Sequence, residues 1–336
     1  MVADSTGPRN NWSQQTVLVT GAAGFIGSHL TERLVALGAS TRALIHYNSM
    51  GSWGWLDESP VKQHVEAFLG DVQDRDSLRA AVQGVDIVFH LAALVGIPYS
   101  YHAPVSYVRT NVEGTLNVLQ VSLDAEVDLV VHTSTSEVYG TARQIPISED
   151  HPLQGQSPYS ASKIGADKVV EAFHLSFGLP VATMRAFNTF GPRQSARAVI
   201  PTIVTQALTQ SAVHLGNLAP TRDFSYVVDT VEGFIRMAEC PEAIGQVINI
   251  GSGHEISIGD LAKSILELIG TDIPVICDSK RIRPDNSEVD RLCADNSKAQ
   301  NILGWGPQYT LKDGLTQTIE WLEKNINRYR LGTYTI

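Results

Sequence analysis

The sequence predicts an α/β protein: a doubly wound parallel sheet with a smaller C-terminal lobe. Three observations predict it. Short β-branched runs alternate with helical stretches from residue 16 to about 185, a glycine cluster directly follows the first run, and the rhythm changes after about 186.

In chain order, residues 1–15 are polar, lack the apolar core of a signal peptide and read as a flexible tail. Thr16-Val17-Leu18-Val19-Thr20 is a buried strand ending at Gly21. A helix is expected over 25–37, closed by Gly38, and a second strand over 41–46. Apolar runs at 87–91, 129–133 and 181–185 give further strands, with helical patterns at 76–82, 112–123 and 160–177 between them. Such alternation puts helices on both faces of a parallel sheet and ligands beyond the carboxyl ends of its strands. After about 186, proline, arginine and loop-like segments become common, and two helices are expected, 258–269 and 311–325. The reading is a sheet domain over 16–185, with segments near 227–250 returning to it, and a lobe over 186–336 that mainly binds substrate.

The 336 residues are 43% apolar and 18% charged, which suits an ordinary globular core. Acidic residues outnumber basic ones 35 to 25, which argues against nucleic acid as a partner. A few placed arginines still suffice for a phosphorylated ligand. Cys240, Cys277 and Cys293 fall in no paired motif, so neither a metal site nor a disulfide framework is expected, only buried free thiols in a reducing compartment. No apolar run approaches the ~20 residues of a membrane span, and a cytoplasmic protein is expected.

Gly21-Ala22-Ala23-Gly24-Phe25-Ile26-Gly27 joins the first strand to the first helix. The first glycine permits the tight turn, the second lets backbone amides approach a pyrophosphate, and the third allows close helix–strand packing. The helix N-terminus adds positive dipole. This is a dinucleotide site in a Rossmann-type sheet. The second strand ends Ile45-His46-Tyr47-Asn48, without a carboxylate for a ribose 2′-hydroxyl, which leaves NADP open; His46 alone is a poor clamp for a 2′-phosphate, so NAD is favoured.

Tyr159 and Lys163 stand four apart and share a helix face. An ammonium near a phenol favours the phenolate, which can take a proton from a sugar hydroxyl as hydride leaves the carbon. Thr133-Ser134-Thr135-Ser136-Glu137-Val138-Tyr139-Gly140 closes the preceding strand. Ser134 or Thr135 can bond the reacting hydroxyl, and Glu137 can remove a proton made acidic by an adjacent ketone.

The glycine steps of three and three residues, rather than two and three, resemble the short-chain dehydrogenase/reductase superfamily. The resemblance to its extended group covers nearly the whole chain. It implies that Asp71 and Val72 lie near the adenine, and that Leu91, Ala92, Ala93 and Thr133 line the cofactor cleft with Tyr159 and Lys163. Thr135-Ser136-Glu137 resembles the Thr-(Asp or Ser)-Glu motif of nucleotide-sugar 4,6-dehydratases, its serine form being similar to that of GDP-mannose 4,6-dehydratases. The stretches 47–56 and 154–159 are similar to the legionaminic-acid branch, which acts on a nucleotide-linked N-acetylglucosamine.

The resemblance implies oxidation at C4 with Tyr159 as base, removal of the C5 proton by Glu137 with loss of the 6-hydroxyl as water, and hydride return to C6. Ser136 is no strong acid, so protonation of the leaving hydroxyl falls to Glu137. Asn188 would meet the sugar or diphosphate, Arg222 and Arg283 the diphosphate, and Glu288 a ribose. The substrate is a UDP- or GDP-linked hexose. The helices over 112–123 and 160–177 would pair across a two-fold axis as a homodimer. A 4-epimerase, a 5,6-dehydratase and a non-catalytic nicotinamide-binding regulator are the competing readings. His174, His214 and His254 are isolated and read as structural, and Trp53 and Trp55 either cover the site or pack.

Overall fold

The computed structural model describes residues 11–329. In chain order the elements are β1 (Thr16–Thr20), α1 (Phe25–Ala36), β2 (Ser40–His46), β3 (Val65–Gly70), α2 (Arg75–Val82), β4 (Ile87–His90), α3 (Ile97–His102), α4 (Pro104–Tyr107), α5 (Gly114–Asp124), β5 (Leu129–Thr135), α6 (Pro158–Phe177) and β6 (Val181–Ala186). Then come β7 (Asn188–Phe190), α7 (Val199–Thr209), β8 (Val213–Leu215), β9 (Thr221–Tyr226), α8 (Val227–Glu239), β10 (Val247–Ile250), β11 (Glu255–Ser257), α9 (Ile258–Ile269), β12 (Val275–Cys277) and α10 (Leu311–Lys324).

Among the described residues, seven strands form one sheet in the order β10-β6-β5-β4-β1-β2-β3, and every pairing is parallel. Both faces are covered, so the strands are continuous apolar runs rather than alternating ones. One face packs Val17, Val19, Ile45, Phe89, Met184 and Ile250 against α1 and α8. The other packs Leu18, Leu44, Val88 and Val130 against α2, α5 and α6. Each such side chain contributes about 1.5–3 kcal/mol by leaving water.

The strand order reverses between β1 and β4, and such a switch point opens a crevice at the carboxyl ends. Thr20 pairs with His90 there, and the Thr20 hydroxyl accepts from the Leu91 and Ala92 amides at 3.1 Å each. The chain after β6 builds a three-stranded sheet, β11-β9-β7, and a parallel pair, β12-β8, backed by α7, α9 and α10.

Several expectations change. The tail does not reach residue 15. Trp12–Gln14 form a single 3-10 turn, Trp12 is buried against Phe89, and its indole donates to Glu239 at 2.9 Å. A large apolar ring within reach of the sheet buries even where its neighbours are polar. Residues 1–10 lie outside the described ones. The C-terminal half holds α7 and α8 besides the two expected helices. Helix α7 buries Ile200, Pro201, Ile203 and Val204 in a β-branched, proline-containing stretch with weak helix propensity. The helix expected over 112–123 begins within a π-helical segment, Val108–Glu113. Of the thiols only Cys293 is buried; Cys240 is half-buried, and Cys277 is exposed on the short strand β12. No helix among the described residues is long and apolar enough to cross a membrane.

Candidate active site

The crevice is built on backbone that tolerates no side chain. Gly21 has φ +71, and a Cβ there would lie 2.9 Å from the Ala92 amide nitrogen. A Cβ on Gly27 would lie 2.8 Å from the Gly21 carbonyl carbon, so α1 meets its own loop at contact distance. Gly24 caps α1 without a side-chain hydrogen bond. The first amides, at Phe25 and Ile26, therefore sit at a helix N-terminus suited to phosphate. At the far end of the crevice His46, on β2, lies 3.2 Å from the Asp71 carboxylate after β3. Val72 is buried against Gly114. Leu91, Ala92 and Ala93 follow β4, half-buried. The Thr133 hydroxyl oxygen is buried without a hydrogen-bond partner. A glycine cradle, a helix N-terminus and an unpaired hydroxyl fit a dinucleotide.

Helix α6 begins with a capping box, Ser157 with Ser160, and Pro158 at its first position. That start places Tyr159 in the first turn, buried, with Tyr107 edge-on at 6.2 Å. The Tyr159 hydroxyl is hydrogen-bonded to Thr135. Ser134 turns away and donates to Asp167 at 2.9 Å, so of the two candidates Thr135 serves the phenol. Lys163, one turn on, donates to the Thr133 carbonyl at 2.6 Å.

Burial lowers the Lys163 pKa to about 8, and Asp167 opposes the fall. Tyr159 is raised above its ordinary value, first by burial and then, against the Thr135 bond, by the Glu137 charge. Burial is the largest influence on this phenol, and the Lys163 ammonium is directed to the Thr133 carbonyl.

Glu137 lies in the 3-10 turn Ser136–Tyr139, which Thr135 caps by accepting from the Glu137 amide at 3.3 Å. Ser136 and Glu137 are both buried, Glu137 at 8% exposure. The Glu137 charge acts on both Tyr159 and Arg222, so the buried carboxylate shares its surroundings with a phenol and a guanidinium.

Arg222, on β9, is 6% exposed. It and Arg283 both donate to one oxygen of Glu288, at 3.2 and 3.4 Å. Glu288 is their shared countercharge, a place that spacing did not suggest. Two guanidiniums on one carboxylate oxygen keep donors for a diphosphate. Asn188 opens β7 with its side-chain oxygen buried and unpartnered.

Sequence reasoning missed Tyr107, which packs on Tyr159, and Asp167, whose signal was its place four residues after Lys163. Trp55 packs edge-on against Trp321 at 5.4 Å, and its amide donates to the Ala23 carbonyl, so this loop braces the glycine turn.

The family model of GDP-mannose 4,6-dehydratase matches residues 18–318. The dTDP-glucose 4,6-dehydratase of Streptomyces griseus is 34% identical over 92% of this chain and 94% of its own. The UDP-glucose 4-epimerase of Mycolicibacterium smegmatis is 33% identical over 90% of this chain and 97% of its own. DesIV, the dTDP-glucose 4,6-dehydratase of Streptomyces venezuelae solved with NAD bound, superposes with a TM-score of 0.83 at 32% identity, covering 94% of this chain and 99% of that one. The chain belongs to the GDP-mannose 4,6-dehydratase family, within the NAD-dependent nucleotide-sugar dehydratases and epimerases of the extended short-chain dehydrogenase/reductase superfamily.

Proposed function

We propose that the chain is a nucleotide-sugar 4,6-dehydratase that converts a UDP- or GDP-linked N-acetylglucosamine to the 4-keto-6-deoxy sugar. The observation that carries this reading is the buried Glu137 at the end of β5, whose charge acts on both Tyr159 and Arg222. A 4-epimerase needs no base at C5; a dehydratase does.

NAD is the cofactor. The Asp71 carboxylate beside His46 puts negative charge where a 2′-phosphate would need positive, which supports NAD over NADP. Held at the Gly21–Gly27 turn with the Thr133 hydroxyl beside it, NAD would supply reversible hydride storage. Thr135 orients Tyr159, and the Tyr159 phenolate takes the 4-hydroxyl proton. Lys163, tied to Thr133, supplies positive charge one turn away. Glu137 removes the C5 proton and protonates the departing 6-hydroxyl, with Ser136 beside it in the same turn. Arg222 and Arg283 hold the diphosphate against Glu288, and Asn188 offers its unpaired oxygen to the sugar. Residues 16–185 hold the cofactor and 186–336 mainly the substrate. A two-fold homodimer pairs the helices over 112–123 and 160–177, and the exposed apolar side chains Leu175, on α6, and Val105 and Val108, ahead of α5, support it.

Incubation with UDP- and GDP-N-acetylglucosamine tests the reading by product mass. Loss of one water with reactivity toward a carbonyl reagent is expected. An unchanged mass indicates epimerisation, and loss of water without a carbonyl indicates a 5,6-dehydratase; either overturns it.

A further inference from the structure

Helix α6 carries a third polar residue on the face of Tyr159 and Lys163. Asp167 lies one turn beyond Lys163, with its side chain 4% exposed. Its Oδ1 is 3.3 Å from His132 Nε2. Its Oδ2 accepts from Ser134 at 2.9 Å and from Arg185 Nε and Nη2 at 3.3 and 3.2 Å. Ser134 stands between Thr133, whose carbonyl takes the Lys163 bond, and Thr135, whose hydroxyl meets Tyr159. One carboxylate therefore ties the ends of β5 and β6 to the helix at the level of the catalytic pair.

The same carboxylate settles a charge problem. Lys163 on α6 and Arg185 on β6 are buried cations that both act on Asp167. Facing Lys163 from β4 and β5 are His90 and His132. Burial foremost, with the Lys163 charge adding to it, pushes both imidazoles below the ordinary histidine value. The π-helical segment and α5 present the uncharged Asn111 and Thr115, bonded to Ser162 and His90. Tyr159 completes the surroundings.

We propose that Asp167 is a positioning residue for the reaction: it fixes the end of β5 against α6 and supplies the buried negative charge that keeps Lys163 protonated, and so sets the alkaline limit of turnover. This rests on the reading of Tyr159 and Lys163 as the catalytic pair. Burial already draws Lys163 down to about 8, and Asp167 is what opposes further loss. Without that carboxylate, Lys163 and Arg185 lose the countercharge they share, and the ammonium sheds its proton sooner.

The test is a titration of Lys163 in full-length, lysine-labelled protein, followed by the ε-carbon chemical shift, alongside the pH profile of kcat/KM. Wild type is expected to titrate near 8. Asp167→Asn is expected to lower that midpoint by about one pH unit and to move the alkaline limb with it, changing kcat more than KM. Asp167→Glu is expected to stay close to wild type. A folded Asp167→Asn protein with midpoint and limb both unmoved overturns the proposal. If that variant does not fold, the wild-type titration decides: an ordinary lysine midpoint above 10 overturns it. The chemical-shift arm needs no substrate, so its result stands whether or not the sugar chemistry is as described.

Discussion

Gly27→Ala places a methyl group where the chain has no room. The new Cβ would lie 2.8 Å from the Gly21 carbonyl carbon and 3.0 Å from the Ala22 Cα, backbone atoms with no rotamer to yield. Contact distance between carbons is about 3.5 Å, so the start of α1 must withdraw from the loop by roughly 0.5–1 Å. Phosphate bound at this N-terminus depends on backbone amides, and a shift of that size breaks hydrogen-bond geometry. A hydrogen bond to a charged acceptor contributes about 1.5–3 kcal/mol. Losing two lowers NAD affinity by about 3–6 kcal/mol, on the order of 10²–10⁴-fold. Calorimetric titration with NAD measures this, with thermal unfolding as a control for folding. A folded variant whose Kd stays within about threefold of wild type would refute the cradle as the pyrophosphate site.

Two further outcomes concern the substrate lobe and the start of the chain's core. Arg222→Gln leaves Glu288 to Arg283 alone and removes one of the two guanidiniums proposed to hold the diphosphate; KM for the nucleotide sugar is expected to rise about 10–100-fold in steady-state assays, and an unchanged KM removes Arg222 from the site. Trp12→Ala empties a buried site against Phe89 and loses the bond to Glu239; urea unfolding is expected to show a loss of about 3–5 kcal/mol, and a loss under about 1 kcal/mol would contradict the placement of this segment in the core.

The parts of the site that local sequence specifies were legible. The Gly21–Gly27 turn and the Tyr159–Lys163 pair are set by spacing within one element, and Glu137 follows the strand that leads into them. The parallel sheet was legible for a similar reason, because strands buried on both faces are continuous apolar runs. What stayed hidden depends on distant partners. Glu288 accepts from two arginines, one of them 66 positions away, a pairing that no local spacing reveals. The raised Tyr159 and the lowered Lys163 arise from burial, which no four-residue spacing reveals. Helix α7 escaped notice because its β-branched residues and Pro201 have weak helix propensity, and Trp12 because its supporting atoms come from β4 and α8.

A nucleotide-linked N-acetylglucosamine deuterated at C4 tests the central claim most directly. Read by mass spectrometry and proton NMR, the product is expected to lack one water, to carry the deuterium at C6 and to hold a solvent-derived hydrogen at C5. Deuterium still at C4, in a sugar of unchanged mass, would contradict a dehydration in which Tyr159 and Glu137 work on the same ring.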